Sequence, residues 1–144
     1  MSGGRRRDDD GVPGASPTGA AGGPAGAADE KERERILRCL HDLARMGVLA
    51  AGIVGKGQDA YLEDSLDGQI LRAAGREQVV EAATLVEKLP EAFKARYPAI
   101  EWVKIQRMRN MVAHHYDRVQ DDFVWETLRT RFPGLLRELG VGGA

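Results

Sequence analysis

Residues 101–116 read EWVKIQRMRNMVAHHY, a stretch that predicts a helix ending in a cluster of reactive side chains. Its apolar residues recur every three or four positions, which is the spacing of one face of an α-helix. The members of this apolar stripe are Trp102, Ile105, Met108 and Val112. We therefore expect a helix from Glu101 to about Ala113 that packs this stripe against a core.

The same spacing predicts a long first helix. It is expected to begin at Asp29, which together with Glu32 resembles a capping box, and to end at Gly55-Lys56-Gly57. The residues that recur at helical spacing along it are Ile36, Leu40, Leu43, Gly47, Ala51 and Val54.

Two further helices are expected between these. One runs from a cap at Ser65 to about Lys88, and a short one begins after Leu89-Pro90. The short helix should end at Tyr97, because the residue before a proline resists the helical conformation.

The last helix is expected to begin at a cap formed by Asp121 or Asp122 and to fray at Gly140. No stretch alternates between apolar and polar residues as a half-buried strand would. The predicted fold class is therefore all-α, a small up-and-down bundle of about five helices.

Composition predicts two regions. Residues 1–28 hold eight of the eighteen glycines and three of the six prolines. Such a segment buries too little apolar surface to offset its ordering entropy. We predict a disordered Gly/Pro/Ala-rich tail at 1–28 and one helical domain at 29–140.

Charge and cysteine content limit the function classes. The net charge is −1, so the chain as a whole does not attract nucleic acid and any RNA binding must depend on a local patch. No run of about 18 apolar residues occurs, and the N-terminus lacks the apolar segment of a secretory signal. Cys39 is the only cysteine, which fits a reducing compartment. We expect a cytoplasmic protein with no membrane partner.

The candidate active site lies between Arg109 and Tyr116, because chemically capable side chains converge there. A fixed cation holds a phosphate, an imidazole moves a proton at neutral pH, and a phenol stacks on a base. The candidate residues are Arg109, Asn110, His114, His115 and Tyr116.

The spacing of these residues constrains how they meet. Arg109 and His114 are five positions apart, hence about 140° apart around a continuous helix. Either the helix ends before His114, or a second chain completes the site, and the two options are compatible. Asn110 lies four positions before His114, close enough to hydrogen-bond it and fix its tautomer.

An imidazole and a guanidinium suffice for RNA cleavage without a metal. The 2′-hydroxyl loses a proton, the cation stabilises the phosphorane, and the leaving oxygen is reprotonated. Two simpler interpretations stay open: a helix-terminal His that satisfies the last carbonyls, and an Arg on a solvated face. A metal site at His114, His115 and Asp117 is weaker, because adjacent His residues point apart on a helix.

Together these motifs resemble the HepT-like toxins of the HEPN superfamily, which are all-helical ribonucleases. The segment from Tyr97-Pro98 to Trp102 resembles the family's "YPxIPW". The segment from Arg109 to Tyr116 is similar to the family signature of Arg, four residues, His, any residue, Tyr, and Val124-Trp125 also fits. Glu101 replaces the usual Pro, and Val80-Glu81-Ala82 stands where many members have Gly-Glu-Ala, which leaves the role of Glu81 open.

The resemblance implies a toxin of a type VII-like toxin–antitoxin pair that needs no cofactor. Arg109 would bind the scissile phosphate, His114 would act as general acid or base, and Tyr116 would help to bind RNA. Members are homodimers whose motifs face each other in a cleft. A cognate nucleotidyltransferase (MNT-type) antitoxin attaches AMP to the tyrosine that matches Tyr116. The alternative is a non-catalytic helical dimer that binds nucleotide or a partner protein in the same cleft.

Overall fold

The computed structural model describes residues 24–114 and 118–141, with the backbone alone at positions 24, 25, 118 and 119. The described residues form helices and connecting turns and contain no β-strand, which confirms the predicted all-α class. In chain order the helices are α1 (Pro24–Val54), α2 (Gln58–Leu62), α3 (Leu66–Glu87), α4 (Glu91–Lys94), α5 (Trp102–His114), α6 (Arg118–Glu126) and α7 (Phe132–Leu139). A π-helical turn, Thr127–Arg131, joins α6 to α7.

The predicted starts of the two middle helices are confirmed. Ser65 is the N-cap of α3, and its hydroxyl oxygen accepts a hydrogen bond from the Gly68 amide at 3.0 Å. Pro90 precedes α4, which ends at Lys94 rather than at Tyr97. The glycine stop after α1 is also confirmed, since Gly57 has a φ of 94°.

Two further features of the helices differ from the prediction. The first is that α1 begins at Pro24 instead of Asp29, so residues 24–28 of the predicted disordered tail are helical. Proline is favoured in the first helical turn, and three of the four residues after it are alanines, the strongest helix formers. The second is α2, a five-residue helix that buries Tyr61 and was not predicted.

The prediction that Asp121 or Asp122 caps the last helix is wrong. The helix begins at Arg118, and Asp121 forms ion pairs across to α3 instead. Its Oδ1 accepts a hydrogen bond from Nη2 of Arg76 at 2.8 Å, and Oδ2 lies 3.8 Å from Nε of Arg72. A tertiary ion pair here replaces the local cap that the sequence favoured.

The core is built from apolar residues of all the longer helices. Leu43, Met46 and Ala50 supply the α1 contribution and are buried. Gly47 lies against α7 so closely that a Cβ there would stand 2.5 Å from Cδ1 of Leu136. The core residues contributed by the remaining elements include Tyr61, Val79, Val86, Phe93, Val112, Val124, Trp125, Leu128 and Leu139.

None of the helices among the described residues is both long and apolar enough to cross a membrane.

Candidate active site

Helix α5 carries the first part of the motif and includes His114 as its last residue. The helix therefore does not end before His114. Arg109 and His114 lie about 140° apart on its surface. Of the two alternatives drawn from the spacing, a helix that ends before His114 is wrong, and completion of the site by a second chain stays a prediction.

Arg109 lies on the half-buried side of α5 and pairs with the end of α3. Its Nη1 donates to Oε2 of Glu87 at 2.8 Å, and Nε2 of Gln106 donates to Oε1 of the same carboxylate at 3.0 Å. The Arg109 side chain keeps 28% of its surface exposed. The guanidinium is thus held from one side while a further side remains open to solvent.

Asn110 contacts the same guanidinium. Its Oδ1 accepts a hydrogen bond from Nη2 of Arg109 at 3.1 Å. Asn110 was predicted to hold His114, and that role stays a prediction. The observed bond places the amide in support of Arg109, so the guanidinium has two acceptors that restrict its orientation.

His114 is exposed at the end of α5. Lys104 and Arg107 are also exposed and share this solvent face at helical spacing, with Lys104 Nζ 2.8 Å from Oε2 of Glu101.

One simpler interpretation was that a histidine satisfies the last carbonyls of this helix. In the described residues, one carbonyl of the last turn, that of Met111, accepts a hydrogen bond from Nε2 of Gln120 at 2.9 Å. Gln120 is buried in the first turn of α6. His115, Tyr116 and Asp117 lie outside the described residues, so the roles predicted for them stay predictions.

The sequence did not predict the roles of three residues around the motif. Glu87 pairs with Arg109, Gln120 bonds the Met111 carbonyl, and Asp121 forms an ion pair with Arg76. Each is polar and lies in a helix, and no local pattern links any of them to its partner. Glu81, considered as a buried partner for an arginine, is instead exposed in a groove between α1 and α3.

The apolar stripe of α5 is less buried than predicted. Only Val112 is fully buried, whereas Ile105 and Met108 line a cavity of about 340 Å³ between α3, α5 and α7. Trp102 is half-buried, and its Nε1 donates to the Lys94 carbonyl oxygen at 3.1 Å, which joins the start of α5 to α4.

These features define an all-helical protein with a cation, an amide and an imidazole on one helix. The sequence model of the family described as "Ribonuclease HepT-like" matches residues 55–140, more than half of the chain. The chain belongs to this HepT-like family of the HEPN superfamily, which confirms the resemblance seen in the motifs.

Two curated relatives carry related descriptions. "Putative RNase MJ0127" from Methanocaldococcus jannaschii is 30% identical over 54 residues, 38% of this chain and 45% of that protein. "Putative RNase TTE0752" from Caldanaerobacter subterraneus subsp. tengcongensis is 26% identical over 77 residues, 54% of this chain and 69% of that protein. The chain thus spans less than half the length of the first relative. No solved structure gives a significant match.

Proposed function

We propose that this chain is a metal-independent endoribonuclease in which Arg109 and His114 are catalytic. The observation that carries the proposal is the placement of both residues on one helix, one half-buried and pre-oriented, the other exposed. Arg109 binds the scissile phosphate and stabilises the charge that develops on it. His114 transfers the proton of the attacking 2′-hydroxyl or of the leaving oxygen.

The angular separation supports a site shared by two chains. Arg109 and His114 cannot reach one phosphate from the same straight helix, since they point about 140° apart. A homodimer with two α5 helices facing each other lets Arg109 of one protomer and His114 of its partner meet in a cleft. Tyr116, next to this cleft in sequence, stacks on RNA, and His115 is a supporting residue.

Cleavage by purified variants tests the catalytic roles. His114→Ala should lower the cleavage rate by about 10²–10⁴-fold with a chelator present, because a general acid or base is lost. His115→Ala is the matched control, since the family signature allows any residue there, and it should cost far less. Equal losses in the two variants would contradict the assignment of His114. A wild type that does not cleave RNA would instead favour the alternative of a non-catalytic dimer that binds nucleotide or a partner protein.

Mixing two inactive variants tests the shared site. Arg109→Ala and His114→Ala are each expected to be inactive. After exchange of protomers, a mixed dimer has one site with both side chains, so about a quarter of wild-type activity should return. No recovery in a mixture shown by mass spectrometry to contain mixed dimers would contradict the shared cleft.

Membership of the HepT-like family supports a proposal for the biological role. We propose that the chain is the toxin of a cytoplasmic type VII-like toxin–antitoxin pair. A cognate nucleotidyltransferase transfers AMP from ATP to the Tyr116 hydroxyl, and pyrophosphate leaves. The added phosphate pairs with Arg109 and competes with RNA. Co-expression with that enzyme should add whole adenylyl units to the wild-type chain and none to Tyr116→Phe. Modification mapped to another residue would contradict this control mechanism.

A further inference from the structure

A residue in the first turn of α6, which follows the motif in sequence, contacts the end of α5. Gln120 is 5% exposed, and its Nε2 donates to the Met111 carbonyl oxygen at 2.9 Å. Met111 and His114 both belong to the last turn of α5 that the structure describes, residues 111–114. Gln120 therefore supplies a buried hydrogen-bond donor to this turn from another helix.

The neighbouring residue fixes the same turn of α6 to a third helix. Asp121 pairs with Arg76 of α3 through a 2.8 Å contact, and both side chains are largely buried. Gln120 and Asp121 are consecutive, so α6 cannot shift without straining one contact or the other. The end of α5 is thereby held in register with α3, which also carries Glu87, the partner of Arg109.

We propose that Gln120 is a positioning residue that fixes the orientation of His114. The inference rests on the proposed ribonuclease function, in which His114 transfers a proton. Gln120 acts through the helix and not on the RNA. Without its amide, the Met111 carbonyl is left without this buried donor and the last turn of α5 frays. His114 then samples many orientations, and few of them reach the reacting oxygen.

Replacement of Gln120 by Met separates the hydrogen bond from packing, because Met has a similar length and no donor. The matched control is Gln69→Met, the same change at an exposed position of α3. In Gln120→Met we expect kcat to fall about 10- to 100-fold and KM to change less than about threefold, since a displaced catalytic group affects the chemical step. Gln69→Met should match the wild type in both.

A structural measurement on the full chain decides the inference independently of activity. The protein has three histidines, so His114→Ala assigns the His114 imidazole signals in an NMR spectrum. In Gln120→Met these signals should broaden or shift. The amides of residues 112–114 should exchange hydrogen at least about tenfold faster, while amides of α3 keep their rates. Gln120→Asn, whose amide is too short to reach, should give the same result.

The outcomes separate this inference from the proposed function. Unchanged His114 signals and amide exchange in both Gln120 variants would overturn the positioning role, whether or not the wild type cleaves RNA. Faster exchange with altered His114 signals in a wild type that does not cleave RNA would support the contact and overturn the proposed function. A loss of protection across all helices, instead of the last turn of α5, would show a general stabilising role and overturn the inference.

Discussion

Replacing Glu87 with Gln should tighten the binding of uncleaved RNA roughly three- to tenfold at low salt. The Glu87 carboxylate lies 2.8 Å from the Arg109 guanidinium and offsets its charge. A phosphate on the open side of the guanidinium would stand about 6 Å from that carboxylate. At an effective dielectric constant of about 40–80 for this half-exposed pair, the repulsion is roughly 0.7–1.4 kcal/mol. Removing it gives the stated change in affinity.

Fluorescence anisotropy in a His114→Ala background measures this affinity without turnover. The gain should shrink as salt rises, because screening weakens interactions between exposed charges. Glu126→Gln is the matched control: it removes the same charge from a carboxylate that pairs with Arg129 at 2.9 Å instead of with Arg109. Weaker RNA binding by Glu87→Gln would refute the reasoning. It would mean that Glu87 helps RNA binding more by orienting the Arg109 guanidinium than it hinders binding by repelling the phosphate. An equal gain in Glu126→Gln would trace the effect to net charge alone.

Three further predictions concern the core around α3. Asp121→Asn should lower the free energy of unfolding in urea by about 2–3 kcal/mol, since it removes the counter-charge of the largely buried Arg76; a loss below about 0.5 kcal/mol would contradict it. Burial, reinforced by the charge of Asp121, raises the pKa of Tyr61 to about 12. Between about pH 10 and pH 12 the unfolded chain releases this proton and the folded chain does not, so the free energy of unfolding should fall by up to about 2–3 kcal/mol. Urea unfolding at about pH 9 and about pH 11.5 measures this fall, and Tyr61→Phe should lack it. Gly75→Ala should lower the free energy of unfolding by about 1–3 kcal/mol, because its Cβ would stand 2.7 Å from the Tyr61 hydroxyl. Gly52→Ala, which has open space around it, should raise this free energy by about 0.5–1 kcal/mol, and thermal unfolding measures both changes.

The parts of the fold that the sequence predicted are those with strong local signals. Helices α3 and α5 have regular apolar spacing, and Ser65 has the side chain that an N-cap requires. The start of α1 was predicted late, because residues 24–28 have the Gly/Pro/Ala composition of the preceding segment and add no large apolar side chain to the stripe of the helix. The short α2 gave no periodic signal, since it contributes one buried residue, Tyr61.

In the candidate site, too, the sequence predicted the residues with a local signal and missed their partners. Arg109, Asn110 and His114 are close in sequence, so their spacing alone raised the question of a second chain. The residues that hold the motif helix lie outside the motif: Glu87 lies on another helix, and Gln120 and Asp121 follow the motif in α6. Asp121 has the chemistry of a helix cap, and only the packing of α6 on α3 shows that it serves an ion pair.

Helix α1 belongs to the hydrophobic core but lies outside the segment that matches the family model. The family match begins at residue 55, after α1 has ended. Yet Leu43 and Ala50 of α1 are fully buried, and Gly47 seats the helix directly against Leu136. A chain cut at the first matched residue would expose the apolar surface that these side chains cover, and it would be prone to aggregate. The compact unit that holds the core therefore begins at Arg35, twenty residues before the family match.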